Sequence, residues 1–318
     1  MSFKKSLKTG NLLYKAFRLV FLIGVCYLFL FPILYMLSLA VRHPITVDDP
    51  SIVWLPKALS MESIRKAAEL MKYKESLWLT IIITFFSTIA SVVSCSMVGY
   101  GLARFEFKTK KILFAIVILL IVIPPQLLMV PQFLNYRYFT IGGLLTLLEP
   151  LTGVPNINLV EGDSAVLTFI IPAIFASGLR SGLFIFMFRQ FFTGLHKELE
   201  EAARIDGCSA FQIYYRIAIP LSKPAIITVI IYSIIWHWNE YYTSAIYFLG
   251  DVKPLSVMLK NLSEILLNED VSLLMQSSSL LRTYLAAGSL LTILPILIFY
   301  IFAQRYFVES IENTGLVG

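Results

Sequence analysis

The chain alternates long apolar runs with short polar stretches. Six runs, at 19–41, 77–103, 112–134, 168–188, 224–248 and 284–304, are long enough to cross a hydrocarbon core. Such a core is about 30 Å thick and needs roughly 20 apolar residues at about 1.5 Å each. The pattern predicts an all-α polytopic membrane protein with about six transmembrane helices. Pro32, the Pro124/Pro125/Pro131 group, Pro172 and Pro295 interrupt the runs. Breaks of this kind are tolerated in a membrane only where neighbouring helices or a wet cavity satisfy the freed carbonyls. Ser60 to Glu75 reads as an amphipathic helix with Ile64, Ala67, Ala68 and Met71 on one face, suited to the outer membrane surface. Residues 140–164 hold Gly142, Gly143, Pro150, Gly153, Pro155 and Gly162 and read as an irregular external loop.

Composition supports the membrane reading. The 318 residues are 58% hydrophobic and 14% charged, with a mean hydropathy of +0.78, outside the range of soluble domains. Lys and Arg then orient the spans. Residues 1–18, 104–111, 189–223 and 305–318 carry fifteen Lys/Arg against seven Asp/Glu, and 42–76, 135–167 and 249–283 carry ten against twelve. The positive-inside rule assigns the N-terminal segment 1–18, the loop 191–223 and the C-terminal tail 305–318 to the cytoplasm, flanking and interrupting a membrane domain at 19–304. Lys4, Lys5, Lys8, Lys15 and Arg18 precede the first run, which is too long for a signal-peptide core and reads as a retained span. Cys26, Cys95 and Cys208 show no metal or disulfide spacing.

The polar stretch 191–223 is the most informative. His196 to Ile205 reads as a short helix with Glu198, Glu200 and Glu201 near its positive end. Gly207 supplies the left-handed residue that ends it. Ser209 and Gln212 form a capping box that opens a second helix through Phe211, Tyr214, Tyr215 and Ile217. Pro220 stops that helix, and Pro224 suits the first turn of the next run. Ala202 and Ala203 offer small faces to a closely approaching surface, with the acidic residues and Arg204 to orient it. The alternative is a plain connector between spans.

Inside the membrane, Tyr232, Ser233, Trp236, Asn239, Glu240, Thr243 and Tyr247 fall on one face of the fifth run at 100° per residue. Such a face lines either a helix seam or a water-filled path; aromatic rings beside hydroxyl and amide groups suit a sugar. Arg180 lies near the middle of the fourth run, among Ser177, Gly178, Ser181 and Gly182. It either pairs with a carboxylate such as Glu240 or attracts an acidic sugar, unless the span starts later and leaves it at the membrane edge.

Glu201-Ala202-Ala203, Asp206-Gly207 and Pro220 resemble the E-A-A loop of ABC importer permeases, with Gly four residues after the second Ala and Pro thirteen after that Gly. Further matches point to the maltose-type carbohydrate uptake permeases within that family. They are Gly99-Tyr100-Gly101-Leu102-Ala103-Arg104-Phe105, Ile123-Pro124-Pro125-Gln126 with Pro131-Gln132, Trp238-Asn239-Glu240-Tyr241, and Gln304-Arg305-Tyr306-Phe307-Val308-Glu309. Cys208 and Ser310 stand where the family commonly has Ala and Gly.

The resemblance implies a permease subunit of an ATP-driven importer that moves a carbohydrate, an oligosaccharide in the main, by alternating access in the cytoplasmic membrane of a bacterium or archaeon. Glu200, Glu201, Ala202, Ala203, Asp206, Gly207, Ser209 and Pro220 would couple it to a separate ABC ATPase dimer, which binds ATP and Mg while this chain binds no cofactor. A second, non-identical permease subunit and an extracytoplasmic solute-binding protein are the other implied partners. The chain has no G-x-x-x-x-G-K-[ST] segment, so it is not itself the ATP-binding subunit by that route. His43, His196 and His237 form no H-E-x-x-H pair, and no G-x-S-x-G elbow is present, which leaves no catalytic or metal site and little support for an intramembrane enzyme. Uptake of a polyol or glycerophosphodiester, or a polar-lined channel or sensor without energy coupling, are the alternative functions. Nothing suggests nucleic acid.

Overall fold

The computed structural model describes residues 2–44, 49, 56, 58–140, 156–269 and 278–315, with side chains for 14–44, 49, 56, 58–140, 156–268 and 279–306. Among these the regular structure is helical: α1 (Ser2–Ala40), α2 (Glu62–Leu70), α3 (Tyr73–Arg104), α4 (Lys110–Val122), α5 (Met129–Arg137), α6 (Leu167–Ile174), α7 (Ser181–Gly194), α8 (Lys197–Ile205), α9 (Ala210–Leu221), α10 (Lys223–Trp238), α11 (Tyr242–Tyr247), α12 (Leu255–Glu269) and α13 (Ser278–Gly315). The chain divides into two compact units, residues 1–71 with 261–293, and residues 72–260 with 294–318.

In the first unit, the apolar stretch Tyr14–Ala40 of α1 passes through Pro32 without ending, and its side chains are left for lipid or protein to cover. The amphipathic segment forms α2, but its inward residues are Ser63, Ala67 and Met71 while Ile64 is half-buried. The expected helix through Glu75 is also interrupted at Lys72, which adopts φ 44°. Most of the predicted external loop, 141–155, lies outside the described residues. Of the rest, Phe139 bridges Ile157, and Asn158 to Glu161 lead into a 3-10 turn at Gly162–Val166.

The second unit is organised around α3, which is built inside out relative to a helix in water. Ser76, Thr80, Thr84, Ser87, Thr88, Ser91, Ser96 and Gly99 are buried, and Trp78, Phe85, Phe86, Ile89, Val93 and Met97 are exposed. Lipid solvates the apolar side, and small hydroxyl residues let backbones approach while bonding across the interface. Three such bonds, Ser96 Oγ to Tyr214 Oη (2.8 Å), Thr88 Oγ1 to Ser233 Oγ (2.9 Å) and the Leu255 N–H to Thr80 Oγ1 (2.9 Å), run along α3 in reverse sequence order. The returning chain is therefore antiparallel to α3.

Gly99 marks the closest approach of α3 to α7: a Cβ there would sit 2.7 Å from Phe188 Cβ and 3.0 Å from the Arg189 nitrogen. Gly99→Ala is therefore expected to destabilise the unit by about 1–3 kcal/mol through overpacking. A lowered unfolding midpoint of the purified protein checks this, and an unchanged midpoint would show that the interface gives way freely.

Three of the six apolar runs form single helices long and apolar enough to cross a membrane, at Tyr14–Ala40, Tyr73–Arg104 and Ser279–Tyr306. The other three depart from the expectation of unbroken spans. The third bends by 100° between α4 and the segment Pro125–Arg137, because Ile123 and Pro124, each preceding a proline, are held extended. The fourth divides into α6 and α7 around residues 175–180. Here Pro172 carries no N–H, and its carbonyl accepts both the Ser177 N–H (2.9 Å) and the Ser177 hydroxyl (3.1 Å). The Ala173 carbonyl accepts Ser94 Oγ from α3 at 2.6 Å, so a neighbouring helix satisfies what the break leaves open. The fifth breaks after Trp238, where Asn239 caps α10 through its side-chain amide to the Ile235 carbonyl (2.8 Å) and Glu240 Oε1 starts α11 by accepting the Thr243 N–H (2.8 Å).

Candidate functional site

The polar segment folds as two short helices meeting at Gly207, whose φ of +81° follows hydrogen bonds from the Gly207 N–H to the Arg204 carbonyl (3.0 Å) and from Cys208 to Ala203 (2.9 Å). Ser209 then caps α9. Its hydroxyl accepts the Gln212 N–H at 3.3 Å, while Gln212 Oε1 accepts the Ser209 N–H at 2.7 Å. Pro220 does not stop α9, which runs on to Leu221. The helix widens instead into a π turn over Tyr214–Ala218, with the Ile219 N–H reaching the Tyr214 carbonyl. That register relieves the clash a proline ring makes with the carbonyl four residues earlier.

The two faces of α8 differ in kind. Glu200 and Ala203 point inward, and Glu201, Ala202, Arg204 and Asp206 are exposed. Glu200 and Ala203 thus face the chain itself, and Glu201, Ala202, Arg204 and Asp206 are among the residues of this stretch open to a partner. Glu200 Oε1 accepts Arg104 Nε at 2.8 Å with both side chains almost fully buried, and Arg104 Nη2 also donates to the Leu195 carbonyl at 2.9 Å. Tyr100, one turn before Arg104, packs its ring on Phe192 (5.4 Å) and Tyr214 (5.1 Å). Burial pushes the pKa of the Tyr214 hydroxyl up, and its bond to Ser96 acts in the opposite direction. The segment Gly99 to Phe105 thus seats the helix pair on the end of α3. In the sequence the one signal for Arg104 is its place in the stretch Gly99 to Phe105.

The outward face carries Leu199, Ile205, Phe211 and Tyr215, half or more exposed, with Ile205 at 87%. Exposed apolar side chains of this size on a polar connector are of the kind that protein–protein contacts cover.

The breaks in the third, fourth and fifth runs meet around a cavity of about 250 Å3, lined by Leu120, Gln132, Tyr136, Thr168, Phe169, Ser177 to Leu183, Thr243 and Tyr247, among others. A smaller pocket of about 50 Å3 shares Arg180 and Thr243 with it and adds Gln126, Trp236 and Glu240. Of the residues expected along a path, Arg180, Trp236, Glu240, Thr243 and Tyr247 therefore come together. Tyr232 stacks on Trp236 at 5.4 Å, while Asn239 is exposed and spent on capping. Ser233, in the same helix as Tyr232 and Trp236, faces α3 instead and bonds Thr88.

Arg180 is not within a helix, as its position in the fourth run suggested. It precedes α7 with φ 59°, its guanidinium lies 5.4 Å from the centre of the Trp236 ring, and it makes no ion pair with Glu240 within 4.0 Å. Gln132, whose Oε1 accepts Tyr247 Oη at 3.2 Å, and Tyr136 were missed as lining residues. Pro131-Gln132 was visible in the sequence only as part of a resemblance.

The chain is similar to known proteins in sequence and fold. A crystal structure of a bacterial ABC transporter involved in the import of the acidic polysaccharide alginate contains a chain with the same fold, with a TM-score of 0.71 over 94% of this chain and 98% of that one at 23% identity. The arabinooligosaccharides transport system permease protein AraQ of Bacillus subtilis (strain 168) is 31% identical over 245 residues, covering 75% of this chain and 72% of AraQ. The melibiose/raffinose/stachyose import permease protein MelC of the same organism is 30% identical over 274 residues, 85% of this chain and 86% of MelC. Residues 95–312 match the family of binding-protein-dependent transport system inner membrane components, and the chain belongs to that family.

Proposed function

We propose that this permease carries an oligosaccharide inward by alternating access, through the cavity where the three broken runs meet. The observation that carries the reading is the pairing of two features in one unit. One is a helix pair with an exposed apolar face, locked to the end of α3 by Arg104 and Glu200; the other is an intramembrane cavity whose walls mix tyrosine, glutamine and hydroxyl groups. Aromatic faces stack on the C–H side of a sugar, and amide and hydroxyl groups meet its oxygens.

At about 250 Å3 the cavity lies just under the ~300–1,000 Å3 of ordinary small-molecule sites. Walls from a second, non-identical permease would complete it. A separate ATPase dimer would bind ATP and Mg and dock on the face formed by Leu199, Ile205, Phe211 and Tyr215, with Glu201 and Asp206 at its rim. No catalytic step then falls on this chain. An extracytoplasmic binding protein would deliver the sugar. The Lys/Arg excess beside the helix pair supports a cytoplasmic placement for it and for both termini.

Trp236→Ala removes the ring that holds both Tyr232 and Arg180 and is expected to lower oligosaccharide uptake about tenfold, the effect of losing roughly 1.4 kcal/mol of binding. The ATPase should stay associated. Uptake of labelled sugar and co-purification of the ATPase, measured on the same membranes, test this. Dissociation of the complex would instead identify the aromatic stack as a packing seam.

A further inference from the structure

The larger cavity has an uneven charge. Among its lining residues Arg180 is the one charged side chain, and no carboxylate lines it. The guanidinium's contact within the chain is the Trp236 ring, with no hydrogen bond or ion pair among the described residues. Glu240 shares the smaller pocket with Arg180 but forms no ion pair with it within 4.0 Å, and its Oε1 accepts the Thr243 N–H.

Arg180 also stands at the N-terminus of α7, a helix of 14 residues whose dipole adds positive potential at the same point. Ser181, the first residue of that helix and part of the cavity wall, is 2% exposed, and its Oγ has no hydrogen-bond partner. The neighbouring Cys95 thiol donates to the Ser181 carbonyl (3.8 Å). A cation and a helix N-terminus thus meet at a cavity whose own walls carry no carboxylate, with the buried Ser181 hydroxyl beside them. Arg180 is exposed and lines the cavity, so its guanidinium is open to an anionic group on a substrate, which a neutral sugar does not offer.

We propose that Arg180, with Ser181 and the start of α7, selects oligosaccharides that carry carboxylates, that is, sugars containing uronic acid residues. The planar guanidinium suits bidentate pairing with a carboxylate, and its seat on Trp236 presents it to a sugar ring stacked alongside. This rests on the carbohydrate reading above and narrows it to one substrate class.

The test uses the assembled transporter in proteoliposomes with its binding protein. It compares the stimulation of ATP hydrolysis by an oligogalacturonate with that by its methyl ester, which keeps the sugar and removes the charge. Wild type should respond to the free acid at a lower concentration than to the ester. In Arg180→Gln that preference should shrink roughly 10- to 100-fold, as expected when a charge-assisted pair is lost. Arg180→Lys should retain part of it, and Ser181→Ala should reduce it by a smaller factor.

Because the binding protein is the same throughout, a change in the ratio belongs to the permease. An equal response of wild type to acid and ester, or an undiminished preference in Arg180→Gln, would overturn the proposal. So would failure of Arg180→Gln to assemble when Arg180→Lys assembles, since the cation would then be pairing with another subunit. If neither these sugars nor neutral oligosaccharides stimulate wild type, the carbohydrate reading itself falls and this proposal falls with it.

Discussion

Gly207→Pro is expected to abolish sugar-driven ATP hydrolysis and uptake while leaving the membrane helices inserted. Gly207 holds φ +81° and donates its N–H to the Arg204 carbonyl at 3.0 Å. Proline fixes φ near −65°, has no N–H to give and restricts the residue before it, here Asp206, whose near-helical conformation ends α8. Conflict with the native backbone and loss of the bond together cost about 3 kcal/mol or more. That cost falls on one junction, so α8 and α9 lose their fixed angle rather than their helicity.

Space is not the constraint there, since a Cβ at Gly207 would meet nothing within 4 Å. Gly207→Ala is therefore the milder control, with a penalty of about 1–2 kcal/mol from the left-handed conformation alone. A proline variant that is correctly inserted, binds the ATPase and transports at the wild-type rate would show that the angle between the helices does not matter.

Arg104→Ala should have an effect of similar size by a different route. It strands the Glu200 carboxylate in a nearly dry site and leaves the Leu195 carbonyl without its donor. Removing one partner of a buried pair typically costs about 3–5 kcal/mol. The helix pair would then separate from the end of α3, so that motion of the ATPase no longer reaches the spans. Uptake should fall more than tenfold, with less loss when both partners are replaced, as in Arg104→Met/Glu200→Leu, because no charge is left buried. A double variant as damaged as the single one would place the importance of Arg104 elsewhere, for example in contact with the ATPase.

Local chemistry was readable in the sequence wherever a feature depends on a few neighbouring residues. Gly207 and the Ser209/Gln212 box define the junction of the helix pair without reference to anything distant. The proline group at 124–131 announced a break, though not its 100° bend, which depends on what packs on either side. The turn before Arg180 was less legible: Ala176 and Arg180 take left-handed conformations that their side chains do not favour, and only the surrounding packing holds them there.

In the sequence the polar stripe on the fifth run reads as one continuous helical face. Asn239 and Glu240, taken as lining residues, instead close one helix and open the next, which divides the stripe. Glu200 and Glu201 look equivalent in sequence, and what separates them is an arginine 96 residues away. A periodic pattern identifies a face but not the side chain that waits for it.

The central claim is that the face of α8 and α9 transmits ATP-driven motion to a sugar-carrying cavity. Its most direct test is ATP hydrolysis by the reconstituted transporter with sugar-loaded binding protein, comparing wild type with Glu201→Lys/Gly207→Pro. The account predicts stimulation by oligosaccharide in wild type and none in the double variant, although the variant assembles in the membrane with its partner permease. Equal stimulation in both would contradict it.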